Sequence, residues 1–180
     1  MKKMLRVISY CLLAVFFISG CGYTTHSLIT EKNDTIYVRQ FKNSIDITSE
    51  NSTARNLKTY FPGLETEITK AVIDRFVLDG SLRPGDEYAD LALKGELTEY
   101  RRDPLSYDQD NLVKEYRVTI VVNISLWDNL ENKLLWSEDK MTGDSSYLTQ
   151  GTLVQTEEQA VKAAVLDLAR RVVERVTEDW

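Results

Sequence analysis

Tyr116-Arg117-Val118-Thr119-Ile120-Val121-Val122-Asn123-Ile124-Ser125-Leu126 is the stretch that decides the fold. Tyr116, Val118, Ile120, Val122, Ile124 and Leu126 recur with the two-residue period of an extended chain, while Arg117, Thr119, Asn123 and Ser125 fall on the opposite face. A strand with one apolar and one polar side belongs to a sheet covered on one face only. Upstream, Leu91, Leu93, Gly95 and Leu97 alternate with Lys94, Glu96 and Thr98, a second half-buried strand. Gly95 within it marks a bulge or a close backbone approach. Asp103-Pro104 is expected to end the pairing, with Leu105 to Asn111 as a connection. Downstream, Asp128-Asn129-Leu130-Glu131-Asn132 turns the chain into a strand over 133–143, a hairpin partner. Its inward face stays open, because Leu134 and Trp136 have the opposite parity to Leu135 and Met141.

The remaining segments supply one more strand and a helical layer. Thr35 to Phe41 is β-branched and aromatic, with Ile36 and Val38 on one face and Tyr37 on the other. Leu64, Ile68, Val72 and Phe76 recur every four residues, Glu65 and Glu67 favour the positive end of that helix, and Asp79-Gly80 stops it. Thr156-Glu157-Glu158-Gln159 matches a capping box. It opens a helix whose stripe is Val161, Ala164, Val165, Leu168, Val172 and Val176. Arg83-Pro84-Gly85-Asp86 reads as a turn, and the polar segments 42–56 and 144–155 read as exposed loops. The order is β-α-β-β-β-α. It predicts a single α+β domain over 35–180, a two-layer sandwich with a four-stranded sheet and two helices packed on one face.

The N-terminus carries different information. Lys2, Lys3 and Arg6 precede an apolar run from Val7 to Ile18, too short to span a bilayer. The run closes on Ile18-Ser19-Gly20-Cys21, which resembles the lipobox of bacterial lipoproteins. That likeness implies a lipoprotein signal peptide over 1–20 and a thiol at Cys21 carrying lipid, with acyl chains such as palmitate. Residues 21–34 then form a lipidated tether, and His26, the only histidine, is solvated within it. Losing the leader's three cations moves the formal charge from −6 to about −9 and removes Cys11. The acidic balance argues against a nucleic-acid partner. Two or three acyl chains hold a protein firmly to a membrane, where one binds weakly. Gly22, rather than aspartate, after the lipidated cysteine points to the outer membrane, facing the periplasm.

Catalytic chemistry finds little to use. General acid–base and nucleophilic mechanisms need positioned, activated groups. The chain offers one histidine in a tether, and its eight glycines are scattered over turns and strands rather than gathered in a phosphate loop. Asp86, Glu87 and Asp90 read as a solvated turn, not a calcium loop. No enzyme, cofactor or metal is expected.

Short segments in a fixed order resemble the LptE-type lipopolysaccharide-assembly lipoproteins. They are Cys21-Gly22-Tyr23, Ile36-Tyr37-Val38 running to Phe41-Lys42-Asn43, the Leu64-Glu65 helix opening and Ala89 to Gly95. Tyr100, Asp103-Pro104-Leu105-Ser106-Tyr107, Tyr116-Arg117-Val118 and Leu135-Trp136 complete the series. The resemblance implies a sheet with two helices on one side. It also implies a partner, the outer-membrane β-barrel LptD, whose lumen such proteins plug while assisting its assembly and the delivery of lipopolysaccharide to the outer leaflet. The competing expectation is a pilot or structural subunit of another outer-membrane assembly, such as a secretin. For lipopolysaccharide itself, Lys94, Arg101, Arg102, Lys114 and Arg117 lie on or beside neighbouring strands and form the candidate basic cluster, with ordinary surface charge as the alternative.

Overall fold

The structure, a computed structural model, describes residues 33–45 and 62–177. The leader over 1–20, Cys21, His26, most of the tether, residues 46–56 of the first polar loop and Trp180 lie outside the described residues. The elements are β1 (Thr35–Val38), β2 (Lys42–Asn43), α1 (Leu64–Asp79), β3 (Arg83–Pro84), β4 (Leu91–Tyr107), β5 (Val113–Asp128), β6 (Lys133–Leu148) and α2 (Glu157–Thr177).

The architecture is α+β, as expected, but the sheet has six strands rather than four, in the order β3-β1-β4-β5-β6 with β2 also on β4. Two causes account for the difference. The predicted first strand is broken: β1 pairs in parallel with β4 up to Val38–Leu93, and pairing resumes at Lys42–Glu96. At the break the Phe41 N–H donates to Thr69 Oγ1 of α1 at 3.0 Å instead of to the sheet. The Phe41 ring also covers Gly95, where an added Cβ would lie 2.1 Å from it. The second cause is Arg83-Pro84, read as a turn, which adds to the edge of β1 in parallel. There the Arg83 N–H donates to the Asp34 carbonyl at 2.9 Å.

β4, β5 and β6 form a long antiparallel meander that overruns two predicted boundaries. β4 continues through Asp103-Pro104 to Tyr107, and β6 continues past Gly143 to Leu148. Proline is tolerated because this part of β4 pairs only with β5 among the described residues, so its missing N–H falls on an unpaired edge. A register shift follows at once, between Pro104 and Ser106. The 17 residues of β4 span about 55 Å at roughly 3.3 Å each.

A bulge resolves the open parity of β6. Val122 faces Met141, whereas Ile124 faces Glu138, so β6 carries an extra residue between these pairs. Lys140 takes φ of 59° there, and its N–H donates to Asn123 Oδ1 at 2.9 Å. Trp136 and Met141 thereby share the inward face despite opposite parity in sequence, both packed in or against the core.

Both helices lie on that inward face. α1 buries Leu64, Ile68, Val72 and Phe76, and Gly80 ends it in the left-handed region with its N–H donating to the Phe76 carbonyl. The capping box of α2 forms as predicted. The Thr156 N–H donates to Gln159 Oε1 at 2.9 Å, and the Gln159 N–H donates to Thr156 Oγ1 at 3.2 Å. α2 buries its predicted stripe together with Ala160, Ala169 and Val173.

Two glycines set how closely the layers meet. A Cβ on Gly143 would lie 2.4 Å from the Leu168 Cβ and 2.5 Å from the Ala164 carbonyl oxygen. Gly143→Ala and Gly95→Ala are each expected to lower unfolding stability by about 2–3 kcal/mol. Gly85→Ala, whose added methyl meets nothing nearer than 3.4 Å, should change it little. Urea denaturation of the three variants checks the ranking.

Candidate functional site

With both described helices on one side, the opposite face of the meander carries no helix among the described residues. The five predicted cations divide between the two faces and do not converge. Lys94 lies on the helix-free face, where its ammonium sits 3.8 Å from the centroid of the Trp127 ring. Arg101 lies opposite Thr119, and Arg117 opposite Asp103, so they are diagonal neighbours on that same face. Arg101 is 3.9 Å from Glu99, too long for a hydrogen bond. Lys114 is exposed at the far end of β5.

Arg102 departs from the predicted set. β4 carries a bulge between Leu97 and Glu99 that shifts its parity, so Tyr100 and Arg102 turn toward the helices. Arg102 donates to Glu157 Oε2 at 2.5 Å, and the Tyr100 hydroxyl donates to Glu157 Oε1 at 2.8 Å. The guanidinium also lies over the Tyr116 ring, 4.9 Å from its centroid. Burial pushes the Tyr100 hydroxyl pKa upward, and the Glu157 carboxylate adds to the shift. Burial alone would lower Arg102, but its hydrogen bond and charge pairing with Glu157 prevail and hold it above the usual arginine value. This trio fastens the start of α2 to β4 and is structural.

Sequence proximity missed two cations that the fold brings to Lys94. Arg39 and Lys42, on either side of the strand break, line one groove with Lys94, Gln40, Asn123, Ser125 and Ser137. The parity of Arg39 was readable, since Tyr37 and Arg39 alternate with Ile36 and Val38. Its distance in space from Lys94 was not. Partial burial lowers the Lys94 pKa, and the positive charges of Arg39 and Lys42 lower it further. Among the described residues, no group of three or more His, Cys, Asp or Glu side chains is placed to hold a metal ion. No described helix is long and apolar enough to cross a membrane.

The acidic turn has a defined task at the other end of the sheet. Asp90 Oδ2 accepts from the backbone N–H of Asp34 at 3.1 Å and of Thr35 at 3.0 Å, and from the Thr35 hydroxyl at 2.8 Å. The Asp90 N–H donates back to Thr35 Oγ1 at 3.0 Å. Asp90 therefore clamps the point where the preceding segment enters β1. The Thr35 hydroxyl bond, followed by the Asp34 amide, holds its carboxyl below the usual aspartate value of 3.8.

These features define a two-layer α+β domain with one helix-covered and one polar sheet face. The chain belongs to the LptE family, described as lipopolysaccharide-assembly, whose model matches residues 34–176. Comparison with curated proteins finds no match. Among solved structures, the chain is similar to protein XCC0632 from Xanthomonas campestris, at 14% identity and TM-score 0.51, covering 81% of this chain and 82% of that one. It is also similar to the hypothetical protein CT253 from Chlamydia trachomatis, at 13% identity and TM-score 0.50, covering 81% and 96%. Rare lipoprotein B from Shewanella oneidensis matches at 16% identity and TM-score 0.47, covering 79% and 92%. At these identities the first two likenesses bear on the fold alone.

Two variants check the assignments. Arg102→Ala leaves Glu157 with one fewer donor and is expected to cost about 1–2 kcal/mol of stability. Arg101→Ala, with only a long, half-buried ion pair to lose, should cost under about 0.5 kcal/mol. Thermal unfolding of the pair separates them. For Asp90, a carboxyl with a depressed folded-state pKa stabilises fully above the unfolded value and loses that contribution as pH falls through the folded one. Wild type is therefore expected to lose stability relative to Asp90→Asn as pH drops below 3.8, with the two curves parallel at neutral pH. Acid titration of both proteins checks the sign.

Proposed function

We propose that the chain is a non-enzymatic outer-membrane lipoprotein, held by acyl chains at Cys21, that partners and plugs an LptD-like β-barrel. In this reading it assists assembly of the barrel and delivery of lipopolysaccharide to the outer leaflet, from the periplasmic side or inside the lumen. The family match over residues 34–176 carries the proposal. The lipobox at Ile18–Cys21 supports the anchor. The helix-free sheet face supports the plug role, because the lumen of a wide barrel is polar and accepts a polar surface without a large apolar patch.

Of the segments 101–111 and 144–155, β4 takes 101–107 and β6 takes 144–148, and the rest form the turn after β4 and the loop after β6. The end of the meander remains the surface suited to reach a partner, with Tyr107, Leu112 and Leu153 exposed beside the 108–112 turn and the loop after β6. For direct contact with lipopolysaccharide, the half-buried Lys94 and Arg101 and the exposed Lys114 and Arg117 are the proposed set. Arg102 contributes to the fold through Glu157.

The test is a mild-detergent pull-down of the full lipoprotein from its own membranes, with mass spectrometry of co-eluting chains. A stoichiometric LptD-like barrel is expected. A secretin, or any other assembly in the absence of such a barrel, overturns the reading.

A further inference from the structure

Five strand ends meet at one end of the sheet. Thr35 pairs with Arg83, Ile36 with Leu91 and Leu91 with Asp128, so the starts of β1, β3 and β4 lie beside the close of β5 and the opening of β6 at Lys133. α1 finishes near the same place, since only three residues separate Asp79 from Arg83. The chain enters the sheet there through Asp34, and Cys21 of the lipobox lies thirteen residues earlier.

Large apolar side chains face water at this end. Val77 and Leu78 close α1, Tyr88 sits in the turn before β4, Leu130 sits in the β5–β6 turn, and Leu134 and Leu135 open β6. Tyr88 is 81% exposed, Leu78 79% and Leu130 75%. The other exposed side chains of this kind among the described residues gather at the opposite end of the meander, save Leu166 between them. Hydrogen bonds make the near end one unit. Asn129 Nδ2 donates to the Glu87 and Ala89 carbonyls at 2.7 and 2.9 Å, and the Asn129 N–H to the Asp90 carbonyl at 2.8 Å. With Asp90 accepting from Asp34 and Thr35, these bonds tie Tyr88 and Leu130 to the point where the chain enters.

We propose that this end of the domain is a lipid-contacting surface that rests in the headgroup region of a phospholipid bilayer. The proposal rests on the preceding reading for the acyl anchor, not for the barrel. Thirteen extended residues reach about 43 Å at roughly 3.3 Å each, so a chain acylated at Cys21 keeps this end near the membrane. The second contact is then intramolecular, at an effective concentration on the order of mM. A fluid surface suits the arrangement, because the apolar side chains are spread over α1, two turns and the opening of β6, and lipid moulds to each of them. Tyrosine joins an apolar ring to a polar hydroxyl, the make-up of a residue at a membrane interface. Asp86 and Glu87, exposed beside Tyr88, keep the contact shallow and favour zwitterionic over anionic lipid.

The experiment reconstitutes the full-length lipoprotein in phosphatidylcholine liposomes and checks flotation first. Leu130→Cys and Leu112→Cys each carry an environment-sensitive fluorophore, with acyl-brominated phosphatidylcholine as the quencher. With Cys11 cleaved off and the Cys21 thiol acylated, the introduced cysteine takes the label. The label at position 130 is expected to lie about 5–10 Å deep and to lose about half its emission, and the label at 112, at the far end of the meander, almost none. Leu78 and Tyr88 are exposed, so adding Leu78→Ser/Tyr88→Ser should leave the melting temperature unchanged while removing most of the quenching at 130. Phosphatidylglycerol at low salt should weaken that quenching further. Flotation without quenching at 130, or equal quenching at 130 and 112, overturns the proposal and leaves the anchor standing. A blue shift at 130 that brominated lipid does not quench assigns the surface to a second copy of the chain and also overturns it. A chain that fails to float overturns the anchor, and the proposal with it. Because no barrel is present, the outcome is independent of the pull-down.

Discussion

At Gly143 of β6, the backbone of α2 occupies the space of a missing side chain. Most of the architecture depends on this contact. It sets α2 low enough on the sheet for Val161, Ala164, Val165, Leu168, Val172 and Val176 to be buried. At roughly 1.5–3 kcal/mol per large apolar side chain, that burial outweighs any polar contact around it. Two polar latches then fix the rotation and ends of the helix: Glu157 with Tyr100 and Arg102 at its start, and Arg175 with Glu138 toward its end. Arg175 also stacks on Trp136 at 4.4 Å. Their carbon-rich stems pack as much as their charges pair.

The same contact leaves the other sheet face without a helix among the described residues. A sheet covered on one side needs residues that tolerate water on the other, and the outward positions of β4 and β5 meet this with Lys94, Arg101, Arg117, Asn123 and Ser125. Small clusters still shield that face locally. Ala92 is 1% exposed and Val121 5%, near Trp127 and Thr119. The face is therefore polar at its edges and grooves, with a thin apolar lining between.

Periodicity made the layers legible, because burying one stripe of each helix against one face of the sheet leaves a pattern in composition itself. The capping box at Thr156 was legible for the same local reason. Bulges were not. The extra residue at Thr98 and the one near Lys140 invert parity without altering composition, and each misplaced specific side chains. Reading β4 without the first would keep Arg101 inward with Leu97, whereas the structure turns Tyr100 and Arg102 inward. The break at Phe41 depended on a hydrogen bond to Thr69, and the passage of β4 through Pro104 depended on which edge lacked a neighbour. Both are tertiary facts, invisible to a window sliding along the chain.

The site illustrates the same limit in electrostatic form. Five cations chosen by nearness in sequence scatter over a ribbon about 55 Å long, while Arg39 and Lys42 reach Lys94 through parallel pairing with β4. The chain as a whole is acidic, with a formal charge of −6, so an anion approaching from afar is repelled. That repulsion is screened beyond about 10 Å at 0.1 M salt, and within this distance the local constellation governs. The helix layer neutralises much of its own charge, since Asp167 and Glu174 pair with Arg170, and Asp167 also with Arg171. The cations of the groove have no such partners among the described residues. A net negative domain can therefore present a positive contact surface, and the side on which it does so follows from which face α2 covers.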